Sequence, residues 1–111
     1  MQSIIKNLSE LEWADSSHIG VQKKVFFSDN AFSSNITQVA YSELEKGAEV
    51  VSHIHETMEE VFYLLDGVCE FNIKGVTILA DKNSLVRIPT NSEHSLLAIS
   101  YCKFIYFGVS I

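Results

Sequence analysis

From Val21 onward, apolar and polar residues alternate in short runs, and turn-forming clusters break those runs repeatedly: "SDNAFSSN", "EKG", "LDG", "IKG" and "DKNS". A side-chain period of two, interrupted at short intervals by Gly, Asn, Asp and Ser, marks the short strands of a sandwich or barrel. The pattern predicts strands over 22–27, 35–42, 49–55, 60–65, 68–73, 76–80, 84–88, 94–99 and 101–109. None repeats another, and no low-complexity segment intervenes. The expected fold class is therefore all-β. Residues 1–20 read differently, with polar stretches such as "SELEW" and "ADSSH" and no period of two. They are expected to form an N-terminal arm or short helix ahead of a barrel spanning 21–111.

A chain of 111 residues makes one domain with room for a real core but not for an appended module. Its net charge is −6, with seven lysines, a single arginine (Arg87) and fourteen acidic residues scattered along the chain. That balance argues against nucleic acid and anionic membranes as partners, since both need basic surface. The start of the chain has no apolar core bounded by a small-residue cleavage site, and apolar runs are short. The reading is neither signal peptide nor membrane span, hence a cytoplasmic protein. Cys69 and Cys102 lie far apart and outside any CxxC pattern, so two buried free thiols are expected. The last strand, "YCKFIYFGV", is apolar on both faces and calls for cover on both, which points to a homodimer.

One stretch stands apart. "GAEVVSHIHETMEEVFYLLDG" places His53 and His55 two residues apart, where a strand turns both rings to one side. Glu60 follows after a turn, and a third imidazole is available at His94, beyond Pro89. Three imidazoles and a carboxylate make a nitrogen and oxygen site suited to one divalent transition metal: Mn, Fe, Co, Ni, Cu or Zn. A six-coordinate ion there keeps two positions open for substrate.

These residues resemble the motifs of the cupin superfamily. Its first motif runs Gly, five residues, HxH, three or four residues, Glu, six residues, Gly, and Gly47, His53, His55, Glu60 and Gly67 fit it throughout. Its second runs Gly, five residues, PxG, two residues, His, three residues, Asn. Pro89 and His94 match it, while Asn83 and Asn91 stand for the two glycines and Ala98 for the final Asn. Asparagine is the side chain that best tolerates the left-handed backbone such turns need, so the two replacements are mild. The resemblance implies a double-stranded β-helix, or jelly-roll barrel, with a metal held by His53, His55, Glu60 and His94.

Strand parity taken from each ligand puts Val51, Phe62, Leu64, Leu96 and Ala98 on the pocket wall. Such a mostly apolar wall suits a small molecule that chelates through one or two oxygens. His18, in the polar arm, reads as exposed, and Arg87 as facing outward. Glu56, Glu59 and Glu93 lie near the ligands in sequence and disfavour a polyanionic substrate. The expected function is an enzyme using its metal as a Lewis acid, an isomerase, lyase or epimerase, with Tyr63, Tyr41 and Glu59 as candidate bases. The alternatives are a dioxygenase of the three-His-one-Glu type and a non-catalytic module that binds a small ligand or a metal.

Overall fold

The computed structural model describes residues 4–111, so the first three residues of the expected arm lie outside it. Ten strands follow in order: β1 (Ala14–Asp15), β2 (Gln22–Ser28), β3 (Ile36–Leu44), β4 (Glu49–His53), β5 (Met58–Asp66), β6 (Cys69–Ile73), β7 (Val76–Ala80), β8 (Leu85–Ile88), β9 (His94–Ala98) and β10 (Cys102–Ser110). Each of the nine strands anticipated from alternation is present. The tenth, β1, falls in the arm, which also holds a 3₁₀ turn at Leu8–Glu10 capped by the Asn7 side chain. No helix among the described residues is long and apolar enough to cross a membrane.

The strands form two antiparallel sheets. The larger runs β1, β2, β3, β10, β5, β8 and the smaller β4, β9, β6, β7. Alternation decides what each strand buries. On β5, Glu60, Phe62 and Leu64 point inward while Val61, Tyr63 and Leu65 do not; on β9 the inward row is His94, Leu96 and Ala98. The two inward faces meet in one core, whose centre is aromatic: the Phe62 ring lies 5.5 Å from Phe71, 5.7 Å from Phe104 and 5.5 Å from Tyr106, the last pair stacked. Tilted and offset rings at such separations add to the burial of large apolar surface. Both cysteines are buried here and unpaired. Burial pushes the Cys69 thiol up to about 12 and raises Cys102 as well.

The turns obey the chemistry of their residues. Gly47 and Gly67 both take a φ of +85°, and Asn83 and Asn91, which stand where the second motif has glycine, take +72° and +59°. Asparagine therefore takes the left-handed turn at the two positions where the motif it resembles has glycine. Outside the larger sheet, Trp13 packs against Tyr41 at 6.0 Å with the Lys24 ammonium 4.9 Å from its ring. This contact, with the pairing of β1 onto β2, ties the arm to the barrel. Strand β10 runs through the middle of the larger sheet between β3 and β5. On its inward row Cys102, Phe104 and Gly108 are buried and Tyr106 is partly so, whereas Ile105, Phe107 and Val109 remain half-buried on the outer face.

Candidate metal centre

The four residues singled out by spacing come together. His53 closes β4 at the edge of the smaller sheet, directly opposite His94 at the start of β9. Their ring centroids are 4.1 Å apart. Glu60 enters from the opposite side, on the inward row of β5. The strand expected to carry both histidines ends at His53, and His55 stands just beyond it in the connection to β5. Its ring still reaches the others, 4.9 Å from His53 and 5.6 Å from His94.

Hydrogen bonds orient this cluster. The Nδ1–H of His53 donates to the Val51 carbonyl at 2.8 Å, and the Nδ1–H of His94 donates to the Ser92 carbonyl at 2.8 Å. A carbonyl only accepts, so each bond fixes its tautomer and leaves Nε2 as the inward atom. Glu60 Oε1 lies 3.2 Å from His55 Nε2 and 3.2 Å from His94 Nε2. Burial lowers the pKa of His53 and outweighs its carbonyl bond, keeping that ring neutral. Burial also pulls on His94, but its hydrogen bonds to Glu60 and to the Ser92 carbonyl win and hold it above the usual imidazole range.

A metal fits this donor set. One donor atom from each of His53, His55, Glu60 and His94 lies within 4.8 Å of all the others. Bonds of about 2.1 Å at right angles place neighbouring ligand atoms about 3 Å apart, close to the 3.2 Å seen from Glu60 to the two imidazoles.

Beside the cluster lies a cavity of about 110 Å³. Phe62 and Leu96 line it, as parity anticipates. Leu64 and Ala98 are buried in the core but do not reach it. Val51 is a correction: it is 64 % exposed, and Val50 takes its place on the wall. The cause is a bulge in the pairing of β4 with β9. Val50 lies opposite Leu96 and His53 opposite His94, so three steps on β4 face two on β9 and the parity counted back from His53 inverts.

The residues offered as bases face elsewhere. Tyr63 donates to Asn83 at 3.1 Å, Tyr41 donates to Glu43 at 2.6 Å beneath Trp13, and Glu59 pairs with an outward Arg87 at 3.5 Å. Glu56 and Glu93 are likewise exposed, which leaves Glu60 as the carboxylate on the cavity wall.

The arm supplies what spacing did not reveal. His18 lines the cavity, with its ring 4.4 Å from His53, so all four histidines of the chain converge. Its loop is braced by Ser16, whose hydroxyl donates to the Val21 carbonyl at 2.6 Å, lies 3.1 Å from the His18 carbonyl and accepts the His18 N–H. Burial lowers the His18 pKa more than Glu60 raises it. Lys23, Gln38, Ser42 and Tyr106, from the inward face of the larger sheet, complete the polar part of the wall.

Comparison with known proteins agrees with this architecture. A predicted oxalate decarboxylase from Thermotoga maritima superposes with a TM-score of 0.89 at 20 % identity, over 97 % of this chain and 100 % of that one. An RmlC-like cupin from Shewanella frigidimarina gives 0.82 at 17 % identity, over 99 % and 93 %. KdgF from a Halomonas species gives 0.78 at 18 % identity, over 94 % and 91 %. At these identities the likeness concerns the fold alone. A search of curated proteins finds no match. The family model for the cupin domain matches residues 40–107, more than half the chain and a span that includes all four convergent donors, and the chain belongs to the cupin family.

Proposed function

We propose that this cupin is a metal-dependent enzyme acting on a small oxygenated compound, with His53, His55, Glu60 and His94 holding one divalent transition metal. The observation that carries the reading is the convergence of three imidazoles and one carboxylate within a few ångströms of one another beside a cavity. A bound ion would supply Lewis acidity toward a carbonyl or hydroxyl oxygen of the substrate. The chain contributes the rest. The carbonyls of Val51 and Ser92 hold two rings in their ligating tautomer, and the side chains of Val50, Phe62, Leu96 and Phe104 offer an apolar wall for the carbon skeleton of the substrate. This supports isomerase or lyase chemistry. We also propose a homodimer, with the outer face of β10 in the interface.

The test is elemental analysis of untagged protein from metal-supplemented cells, alongside Glu60→Gln and His94→Ala. We expect close to one metal per chain in the parent and its loss in both variants, with far-UV circular dichroism still that of a β-protein. Zinc would favour the Lewis-acid reading, and iron, manganese, nickel or copper an oxygen-dependent one. Failure of the parent to take up any of these ions would refute the metal centre.

A further inference from the structure

Lys23 is the one permanent cation on the cavity wall among the described residues. It sits on the inward face of β2 opposite Ser42, and its ammonium donates to Gln38 Oε1 at 3.0 Å. No carboxylate among the described residues pairs with it: the ion pairs found are His55 and His94 with Glu60, and Arg87 with Glu59. Glu60, the only acidic group on the same wall among the described residues, is engaged by two imidazoles. A half-buried ammonium whose one partner is a neutral amide, in a largely apolar cavity, gains strongly from an anion.

The neighbours of Lys23 favour a particular anion. Gln38 receives the ammonium through its oxygen, which leaves its NH₂ beside the same point as a second donor. Two adjacent donors match the two oxygens of a carboxylate. Gln38 also lies in one cross-strand row with Gly108 and Glu60, on β3, β10 and β5. Two strand spacings put their backbones about 10 Å apart. Gly108 between them has no side chain of its own, and the Thr37 hydroxyl and Met58 thioether pack over it, so that a Cβ there would lie 2.6 Å from Thr37 Oγ1 and 2.9 Å from Met58 Sδ. The row is thus bipolar, with the imidazole and carboxylate cluster at one end and a cationic donor pair at the other.

From this arrangement we propose that the cavity takes a small carboxylate carrying a second oxygen function, its carboxylate paired with Lys23 and Gln38 and its hydroxyl or oxo oxygen turned toward the histidine cluster. The proposal deepens the metal-enzyme reading and rests on it only for the role of that second oxygen. Lys23 is then the specificity-determining residue: it separates acids from their neutral analogues. The acidic net charge of the chain hides this feature, because the one cation that matters faces inward.

The test uses 2-oxobutanoate and its neutral counterpart 2-oxobutanamide, titrated calorimetrically into metal-free and zinc-treated protein. A charge-assisted pair predicts that the acid binds about tenfold or more tightly than the amide. Lys23→Gln should bring the ratio close to one, Lys23→Arg should retain most of it, and the preference should shrink as salt rises from about 0.1 to 1 M. The arginine variant and a circular dichroism spectrum separate loss of the cation from loss of the fold. Equal binding of acid and amide, no measurable binding of the acid, or a preference that survives in Lys23→Gln would overturn the proposal. The two readings fail separately. Protein that takes up no zinc yet discriminates through Lys23 sinks the metal centre alone, and protein that takes up zinc without discriminating sinks the carboxylate site alone.

Discussion

Gly47 and Gly67 bracket the HxH motif and share a φ of +85°, yet replacing each with alanine should have very different consequences. At Gly47 a Cβ meets nothing within 4 Å. The cost there is the left-handed backbone, about 1–2 kcal/mol, partly offset by the roughly 0.4–1 kcal/mol that a stiffer unfolded chain returns. The net loss is about 1 kcal/mol. At Gly67 the same Cβ lies 2.9 Å from Cys102 Cα and nearer still to the Tyr101 carbonyl oxygen, both of them main-chain atoms. Carbon atoms prefer about 3.5–4.0 Å, so the start of β10 or the turn after β5 must shift by more than half an ångström. No rotamer change can relieve that overlap, and β10 is pinned by ladders to β3 and β5 on both sides. Overpacking of this kind adds about 1–3 kcal/mol, for a total of about 3 kcal/mol or more. The assay is urea unfolding of both variants in chelator at 25 °C, followed by far-UV circular dichroism. With a urea slope of about 1–3 kcal/mol per molar, Gly67→Ala should lose a molar or more of midpoint and Gly47→Ala well under half of that. Equal losses would show that the turn conformation alone sets the cost, and that the close approach of two main chains at Gly67 has no energetic weight.

Two further outcomes follow from burial. The unfolded thiols titrate near pH 9 while Cys69 in the fold is pushed up to about 12, so the native state holds the extra proton between those values. Stability that is complete below about pH 9 should fall as pH rises toward 12, less steeply in Cys69→Ala, and an unchanged slope in that variant would remove the cysteine from the account. The half-buried outer row of β10 predicts a light-scattering mass of about twice 12.5 kDa, reduced to the chain mass by Phe107→Asp, and a monomeric parent would contradict it.

Much of this molecule is legible in its sequence because two local rules govern it. Period-two alternation located the strands, most plainly β5 and β9, which bury one row each, and turn chemistry located the connections, down to the asparagines at 83 and 91. Spacing also singled out the four donors that converge. What escaped depends on partners distant in sequence. The bulge that exchanges Val51 for Val50 exists only in the pairing with β9, and nothing in "EVVSH" announces it. Tyr41, Tyr63 and Glu59 carry suitable chemistry, but their row on the strand faces outward. His18 and Lys23 belong to a stretch whose role is set by how the arm folds back over the barrel, through the Ser16 turn and the pairing of β2 with β3. Lysine at an alternating position reads as a solvated face until the opposing wall is known.

The donors of the candidate metal centre come from both sheets: His53 and His94 from the smaller one, Glu60 from the larger one, and His55 from the chain that crosses between them. An ion held there would rivet the sandwich across its seam, so that occupancy and folding become a single equilibrium. Such a rivet stabilises the native chain by RT ln(1 + [M]/Kd), about 2.7 kcal/mol at a hundredfold excess over Kd. Metal content would then be readable without any substrate, as the temperature at which the two sheets part.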